Sequence, residues 1–294
     1  MSNTALQPGK IQAGESLGQR ALRKLLRQKH TMLCLVIIAC YLCVAMLGIF
    51  GILPDFRHPV GGSFEPPSWS LMKLLGTDIF GYSILLKIAA GAKTAVIIAL
   101  AVTGIAIPVG ILLGGLAGYY GGRVDEIIVW LYSVVVSIPY ILLVLAISYL
   151  LGKGLSSICV AMGSVYWVGL CRLIRGEFIK HKQREYVLAS KLLGANDLTI
   201  IFKHILPNVF HLAIITASLL SVNAIMSEVV LTYLGVGIQD GSSWGTMISD
   251  ATGELVQGYW WPLAGVTLAL FLLAYSLNMV GDALRDALDP KLVD

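Results

Sequence analysis

Six apolar runs, near residues 31–53, 94–119, 127–151, 155–173, 209–235 and 260–281, limit what this chain can fold into. Each is long enough for a helix to cross a hydrocarbon core, which takes ~20 residues. A backbone in lipid must satisfy its own hydrogen bonds, and a helix does so within one segment. Of the 294 residues 57% are hydrophobic and only 13% charged, with a mean hydropathy of +0.81, which excludes an ordinary soluble domain. The five cysteines, Cys34, Cys40, Cys43, Cys159 and Cys171, sit inside the apolar runs without metal-type or redox-type spacing and read as small hydrophobes. The expected product is an all-α polytopic membrane protein with six transmembrane helices.

The first run follows a basic segment (Arg20, Arg23, Lys24, Arg27, Lys29), as a secretory signal would. It is too long for a signal h-region and no small-residue cleavage site follows, so it reads as an uncleaved span. Residues 1–19 are polar, contain Pro and Gly, and are expected to be disordered. Lys and Arg number sixteen on the side of the N-terminal segment, the 120–126 loop, the 172–208 region and the tail, against five on the other side. The positive-inside rule then puts both termini and residues 174–208 in the cytoplasm. The organisation expected is a cytoplasmic segment at 1–30, a first span with an external loop at 31–93, a five-span core at 94–281 and a cytoplasmic tail at 282–294.

Within the core, the charged stretch "REYVLASKLLGANDLTIIFKHILPN" (residues 184–208) interrupts the oil. Tyr186, Val187, Ala189, Leu192 and Leu193 give a helical apolar stripe beginning at Glu185, and Gly194 offers a stop. Asn196 or Asp197 can cap a second helix over 198–205, before Pro207 forbids simple continuation and suits the first turn of the next span. One reading is an amphipathic element on lipid headgroups, favoured by Lys180, Lys182, Arg184, Lys191 and Lys203. The other is a knob that fits a groove on a cytoplasmic partner.

Polar and small residues inside the spans are the remaining signals. Gly110, Gly114, Gly118 and Gly122 recur every four residues, a spacing that lets helices approach closely, either within this chain or against a second subunit. Ser133, Ser137, Asn223, Ser227, Glu228 and Asn278 are candidates for a translocation path, since polar groups in lipid face a bundle interior or water. Glu228, the only carboxylate in the six runs as drawn, fits either a structural hydrogen bond or a solute contact. Pro108 and Pro139 are expected to kink or loosen their helices, with the hydroxyls of Ser133 and Ser137 able to satisfy freed carbonyls. Beyond the fifth run, residues 244–251 suggest a short interfacial or re-entrant helix, Trp260 and Trp261 an aromatic anchor, and "FEPPSWS" (64–70) a non-helical loop.

No G-x-x-x-x-G-K-[ST] phosphate loop, H-E-x-x-H or G-x-S-x-G motif occurs, so the chain offers no recognisable ATP site, metal site or nucleophile of its own. Nucleic-acid binding has no support beyond the basic segment that topology explains. Two function classes remain: a transport subunit driven by separate motor chains, and a self-sufficient channel or ion-coupled carrier that titrates Glu228.

The motifs resemble those of membrane permeases of ABC importers. Leu188-Ala189-Ser190, Gly194 and "HILP", ending at Pro207, follow the spacing of that family's cytoplasmic signature, with Leu188 standing where the signature has Glu, Ser190 where it has Ala and His204 where it has Ile. "LGTDIFG" (75–81), "AGYYGGRVDE" (117–126), "RLIRGEF" (172–178), "LTYLGVGIQDGSSWGTMISD" (231–250) and "MVGDALRDALDPKL" (279–292) resemble the dipeptide, oligopeptide and nickel branch, and its C-type subunit in particular. Ser133 takes the place of an Asp common in the family. The resemblance implies a type I importer permease fold in a bacterial inner membrane. It implies a second homologous permease, two ATPase subunits that bind ATP and Mg, an external solute-binding protein, and no cofactor on this chain. It also implies that Glu185, Tyr186, Leu188, Ala189, Ser190, Leu192, Leu193, Gly194, Ile205 and Pro207 form the loop that seats in the ATPase.

Overall fold

The computed structural model describes residues 28–152, 154–238 and 241–288, and its regular elements are helices. The disorder expected for 1–19, the basic cluster from Arg20 to Arg27, Lys153 and the end of the tail lie outside the described residues.

The first helix, α1 (Lys29–Ile49), packs on α2 and α10, and its Tyr41 hydroxyl donates to the Ala269 carbonyl at 2.9 Å. The segment that follows is irregular apart from a 3-10 turn at Leu71–Lys73, as the prolines at 66 and 67 require. It is fastened by "LGTDIFG". Thr77 Oγ1 donates to the Gly62 carbonyl and accepts from the Glu65 amide, both at 2.8 Å, while Trp261 Nε1 donates to the Thr77 carbonyl at 3.2 Å. Asp78, buried, accepts from the Phe80 and Tyr82 amides and from Lys87 Nζ at 2.8 Å. On the surface of this loop the Lys73 amine, hydrogen-bonded to Glu65, holds that carboxyl below the usual carboxylate range.

α2 (Ile84–Tyr120) is a single 37-residue helix, where the sequence suggested a span of 94–119. The additional turns contain Lys87, whose charge is neutralised by Asp78, and Ser83 caps the start by accepting from the Leu86 amide. Pro108 lies inside α2 without interrupting it. The main packing of the fold is α2 against α5 (Leu155–Lys182). A Cβ on Gly110 would lie 3.0 Å from the Trp167 carbonyl oxygen, on Gly114 2.5 Å from that of Cys171, and on Gly118 2.6 Å from that of Arg175. Three of the four recurring glycines therefore serve packing within this chain. Gly122 is the correction: it opens the next helix with φ +52 and has nothing within 4 Å of a Cβ.

The third run, expected as one span at 127–151, is two helices, α3 (Gly122–Ser137) and α4 (Tyr140–Leu151), bent by 92°. Pro139 removes an amide donor and pushes Ile138 into extended backbone, φ −102 and ψ 135. At ~1.5 Å per residue neither piece alone crosses a ~30 Å core. The other runs supply five uninterrupted helices of sufficient length and hydropathy, and the bent pair counts as a sixth span if taken together.

α5 continues to Lys182, nine residues beyond the expected 155–173, so that the first part of the expected 174–208 segment is helical. Its arginines are accommodated pairwise. Arg175 makes a two-point contact with Asp125, Nε to Oδ1 at 2.5 Å and Nη2 to Oδ2 at 2.7 Å, and Arg172 lies 4.7 Å from the centre of the Tyr132 ring. Arg175→Met is expected to lower stability by about 1–2 kcal/mol, less than a fully buried pair because both side chains keep some solvent contact. The check is the thermal midpoint of the detergent-solubilised protein, and the exchange Asp125→Arg with Arg175→Asp should recover part of the loss.

After α5 come α6 (Glu185–Leu192), the short α7 (Asp197–Thr199), a π-helical turn (Ile200–Ile205) and α8 (Leu206–Tyr233). Pro207 stands in the first turn of α8, as expected, but no break precedes it: Asp197–Tyr233 runs as one helix of 37 residues. The π turn explains this, since the Leu206 amide reaches back five residues to the Ile201 carbonyl and the wider ladder makes room where Pro207 has no donor. A loop after α8 leads to α9 (Trp244–Val256), longer than the expected 244–251 and closed at its start by a Ser243/Thr246 capping box. α9 packs against α2, α8 and α10, and Trp244 is buried with Nε1 donating to the Ile88 carbonyl at 3.1 Å. α10 (Trp261–Leu288) ends the described chain. Trp260 is exposed at its start, while Trp261 is tied to Thr77 and is not a free anchor.

Candidate functional site

The bend between α3 and α4 leaves a cavity of about 620 Å³ against α5 and α8. Among the described residues its lining carries no Asp, Glu, Lys, Arg or His. The polar groups are Tyr140, Tyr166, Asn223 and Ser227, set among Val, Ile, Leu and Met. Tyr166 from α5 and Ser227 from α8 share a hydroxyl–hydroxyl bond of 2.6 Å, and the Tyr140 ring lies 6.0 Å from that of Tyr166. Asn223, one turn before Ser227, is exposed toward the space.

The six path candidates do not form one group. Asn223 and Ser227 line the cavity. Ser133 and Ser137 lie on an exposed part of α3 and donate to the Val129 and Val134 carbonyls, at 2.6 and 2.7 Å, near the break. Glu228 is 2% exposed and is not among the cavity-lining residues. Its carboxyl accepts from Thr232 Oγ1 at 2.8 Å, and Ser243, the cap of α9, is its other polar neighbour. Asn278 is exposed on α10, apart from the lining. The contribution of Tyr166 was not visible in the sequence, because it depends on a contact 61 residues distant; the only signal was a tyrosine within an apolar run.

The second arrangement is the turn at residues 183–205. Val187 is the residue of the α6 stripe that faces its own chain, joining Tyr119, Phe178, Ile200, Ile201 and Ile205 in one buried cluster. The rest of the stripe faces out: Tyr186 and Ala189 are exposed, as is Leu188 between them, and Leu192 and Leu193 are each 89% exposed. Gly194, at φ +82, ends α6. The Ala195 amide reaches the Ser190 carbonyl and the Gly194 amide the Lys191 carbonyl, both at 3.1 Å, which is the paired closure of a Schellman motif. Of the two possible caps Asn196 acts, accepting from the Thr199 amide at 2.8 Å. Ser190 Oγ donates to the Tyr186 carbonyl, the Tyr186 hydroxyl meets His181 Nδ1 at 2.7 Å, and Glu185 sits in the first turn of α6. Ile205 is buried and Pro207 exposed. The turn is bound to the spans by Tyr119, whose hydroxyl donates to Asp197 Oδ1 at 2.7 Å while its carbonyl accepts from Lys182 Nζ at 2.6 Å.

Fold and site together define a polytopic helical membrane protein with an uncharged cavity and an exposed apolar turn rigidly attached to its spans. Residues 106–294 match the family described as the binding-protein-dependent transport system inner membrane component, and the chain belongs to that family. It is an inner-membrane permease subunit, as the sequence motifs led one to expect. The dipeptide transport system permease protein DppC of Bacillus subtilis (strain 168) is 36% identical over 283 residues, which cover 94% of this chain and 87% of the relative. The oligopeptide transport system permease protein OppC of the same organism is 34% identical over 94% of this chain and 90% of its own length. The di/tripeptide transport system permease protein DppC of Pseudomonas aeruginosa (strain UCBPP-PA14) is 36% identical over 88% of this chain and 86% of its own length.

Proposed function

We propose that this chain is one of two membrane-spanning subunits of an ATP-driven importer for di- or oligopeptides. It pairs with a homologous permease, receives solute from an external binding protein and is driven by two ATPase subunits that hold ATP and Mg, while this chain holds neither. Both termini and the 183–205 turn lie in the cytoplasm. The observation that carries the reading is the turn itself: Leu192 and Leu193 project almost fully exposed from a helix whose other side is anchored to the spans. Burying one leucine contributes ~1.5–3 kcal/mol, so an apolar groove on a motor subunit would give this turn a seat. The relatives named for dipeptide and oligopeptide transport supply the solute class. Movement of the turn on ATP closure then rocks the spans between inward-open and outward-open arrangements.

The ion-coupled carrier reading makes Glu228 the titrating group, yet its surroundings suit a helix tie between α8 and α9. Glu228→Gln keeps the shape and can still accept from Thr232. It is expected to retain at least half of the peptide uptake in proteoliposomes containing the complete transporter and ATP, with uptake indifferent to an uncoupler. Uptake that needs no ATP and collapses with the proton gradient would refute the proposal.

A further inference from the structure

The cavity at the α3–α4 bend has a specific chemistry that the permease reading leaves open. Its volume, about 620 Å³, falls in the ~300–1,000 Å³ range of small-molecule sites. Among the described residues its wall is apolar and bears no ionisable acid or base apart from the phenols of Tyr140 and Tyr166. Two polar features stand out on that wall. The Tyr166–Ser227 pair spends one proton on its mutual bond and retains a second hydroxyl proton and free lone pairs. Asn223 lies one turn away on the same helix and brings two amide protons and an acceptor oxygen. A neutral amide opposite an amide can both donate and accept, which is the pattern a peptide bond presents. A carboxylate or ammonium in the wall would attract solutes of one sign and repel the other; here neither is present.

We propose that Tyr166, Asn223 and Ser227 form a main-chain reading strip that engages the amide groups of the passing peptide, and that the absence of fixed charge makes this half of the path indifferent to the charge of its side chains. The inference rests on the peptide-importer reading. Solutes taken by such a wall are short peptides of either charge, bound through hydrogen bonds that any residue sequence supplies. A solute without amide groups loses the contacts that Asn223 offers.

The test uses the complete transporter in proteoliposomes, with labelled Lys-Ala and Glu-Ala as probes at concentrations that saturate uptake, so that the binding protein's own preference does not set the ratio. If the wild-type complex takes up neither probe with ATP, the peptide-importer reading fails. If it takes up both, their maximal rates are expected to agree within threefold. Asn223→Asp should then favour Lys-Ala by tenfold or more, and Asn223→Lys should favour Glu-Ala by a similar factor. Ratios unchanged in both variants would overturn the reading strip while leaving the importer intact. Should either charged variant fail to assemble, Tyr166→Phe preserves the ring and removes one hydroxyl. Its maximal rate for both probes is expected to fall at least threefold, and an unchanged maximal rate would overturn the proposal.

Discussion

Gly114→Leu is expected to abolish the folded protein. A Cβ at this position would lie 2.5 Å from the Cys171 carbonyl oxygen and 3.1 Å from the Cys171 Cα, both backbone atoms that no rotamer change can withdraw. The same closeness recurs one turn later at Gly118, against Arg175 and Phe178, so α2 cannot tilt away at one point without losing the other. In lipid, where apolar surface gives helices no drive to associate, this contact is a principal source of cohesion. Forcing the pair apart should cost more than the ~1–3 kcal/mol of ordinary overpacking. The measurement is the monodisperse fraction of solubilised protein on size-exclusion chromatography. Gly104→Leu, in the same helix with nothing within 4 Å, is the control and should behave as wild type. A monodisperse Gly114→Leu at normal yield would show that α2 and α5 do not rely on this approach.

Gly194→Glu is expected to leave membrane insertion intact while peptide uptake per ATP hydrolysed falls tenfold or more. The residue has open space around it, so the effect is not steric. It is conformational, because a left-handed φ of +82 costs an L residue ~1–2 kcal/mol, and electrostatic, because a carboxylate arrives beside the exposed Leu192 and Leu193. Gly194→Asn tolerates the same backbone and adds no charge, so it should keep most of the coupling. Normal uptake in Gly194→Glu would remove the turn from the proposed route of force.

What the sequence made legible were features set by a few neighbouring residues. The spans follow from hydropathy, the glycine stripe from its spacing, and the ends of α6 and α7 from Gly194 and Asn196. The misjudged boundaries depend on partners distant in the chain. Lys87 and Arg175 look unsuited to an apolar helix until Asp78 and Asp125 are seen beside them, and charge counting cannot supply those neighbours. Pro139 announced a break but not an angle of 92°, which depends on how α4 lies against α5. Pro207 announced a break that the π turn absorbed. In the cavity, Asn223 and Ser227 were suspected from their polarity, whereas Tyr166 entered only through the packing of α5 on α8.

The uninterrupted course of Asp197–Tyr233 gives the exposed turn and the cavity wall a common rod. Leu198, exposed beside the apolar turn, and Ser227, in the cavity wall, are separated by about 44 Å along it at ~1.5 Å per residue. A tilt of that rod moves both ends at once and in opposite senses about any pivot between them. Under the proposed coupling, the traffic of information is therefore two-way: whatever the motor imposes on the cavity, an occupied cavity imposes on the motor with the same coupling free energy. The peptide is then an effector of its own engine as well as its cargo.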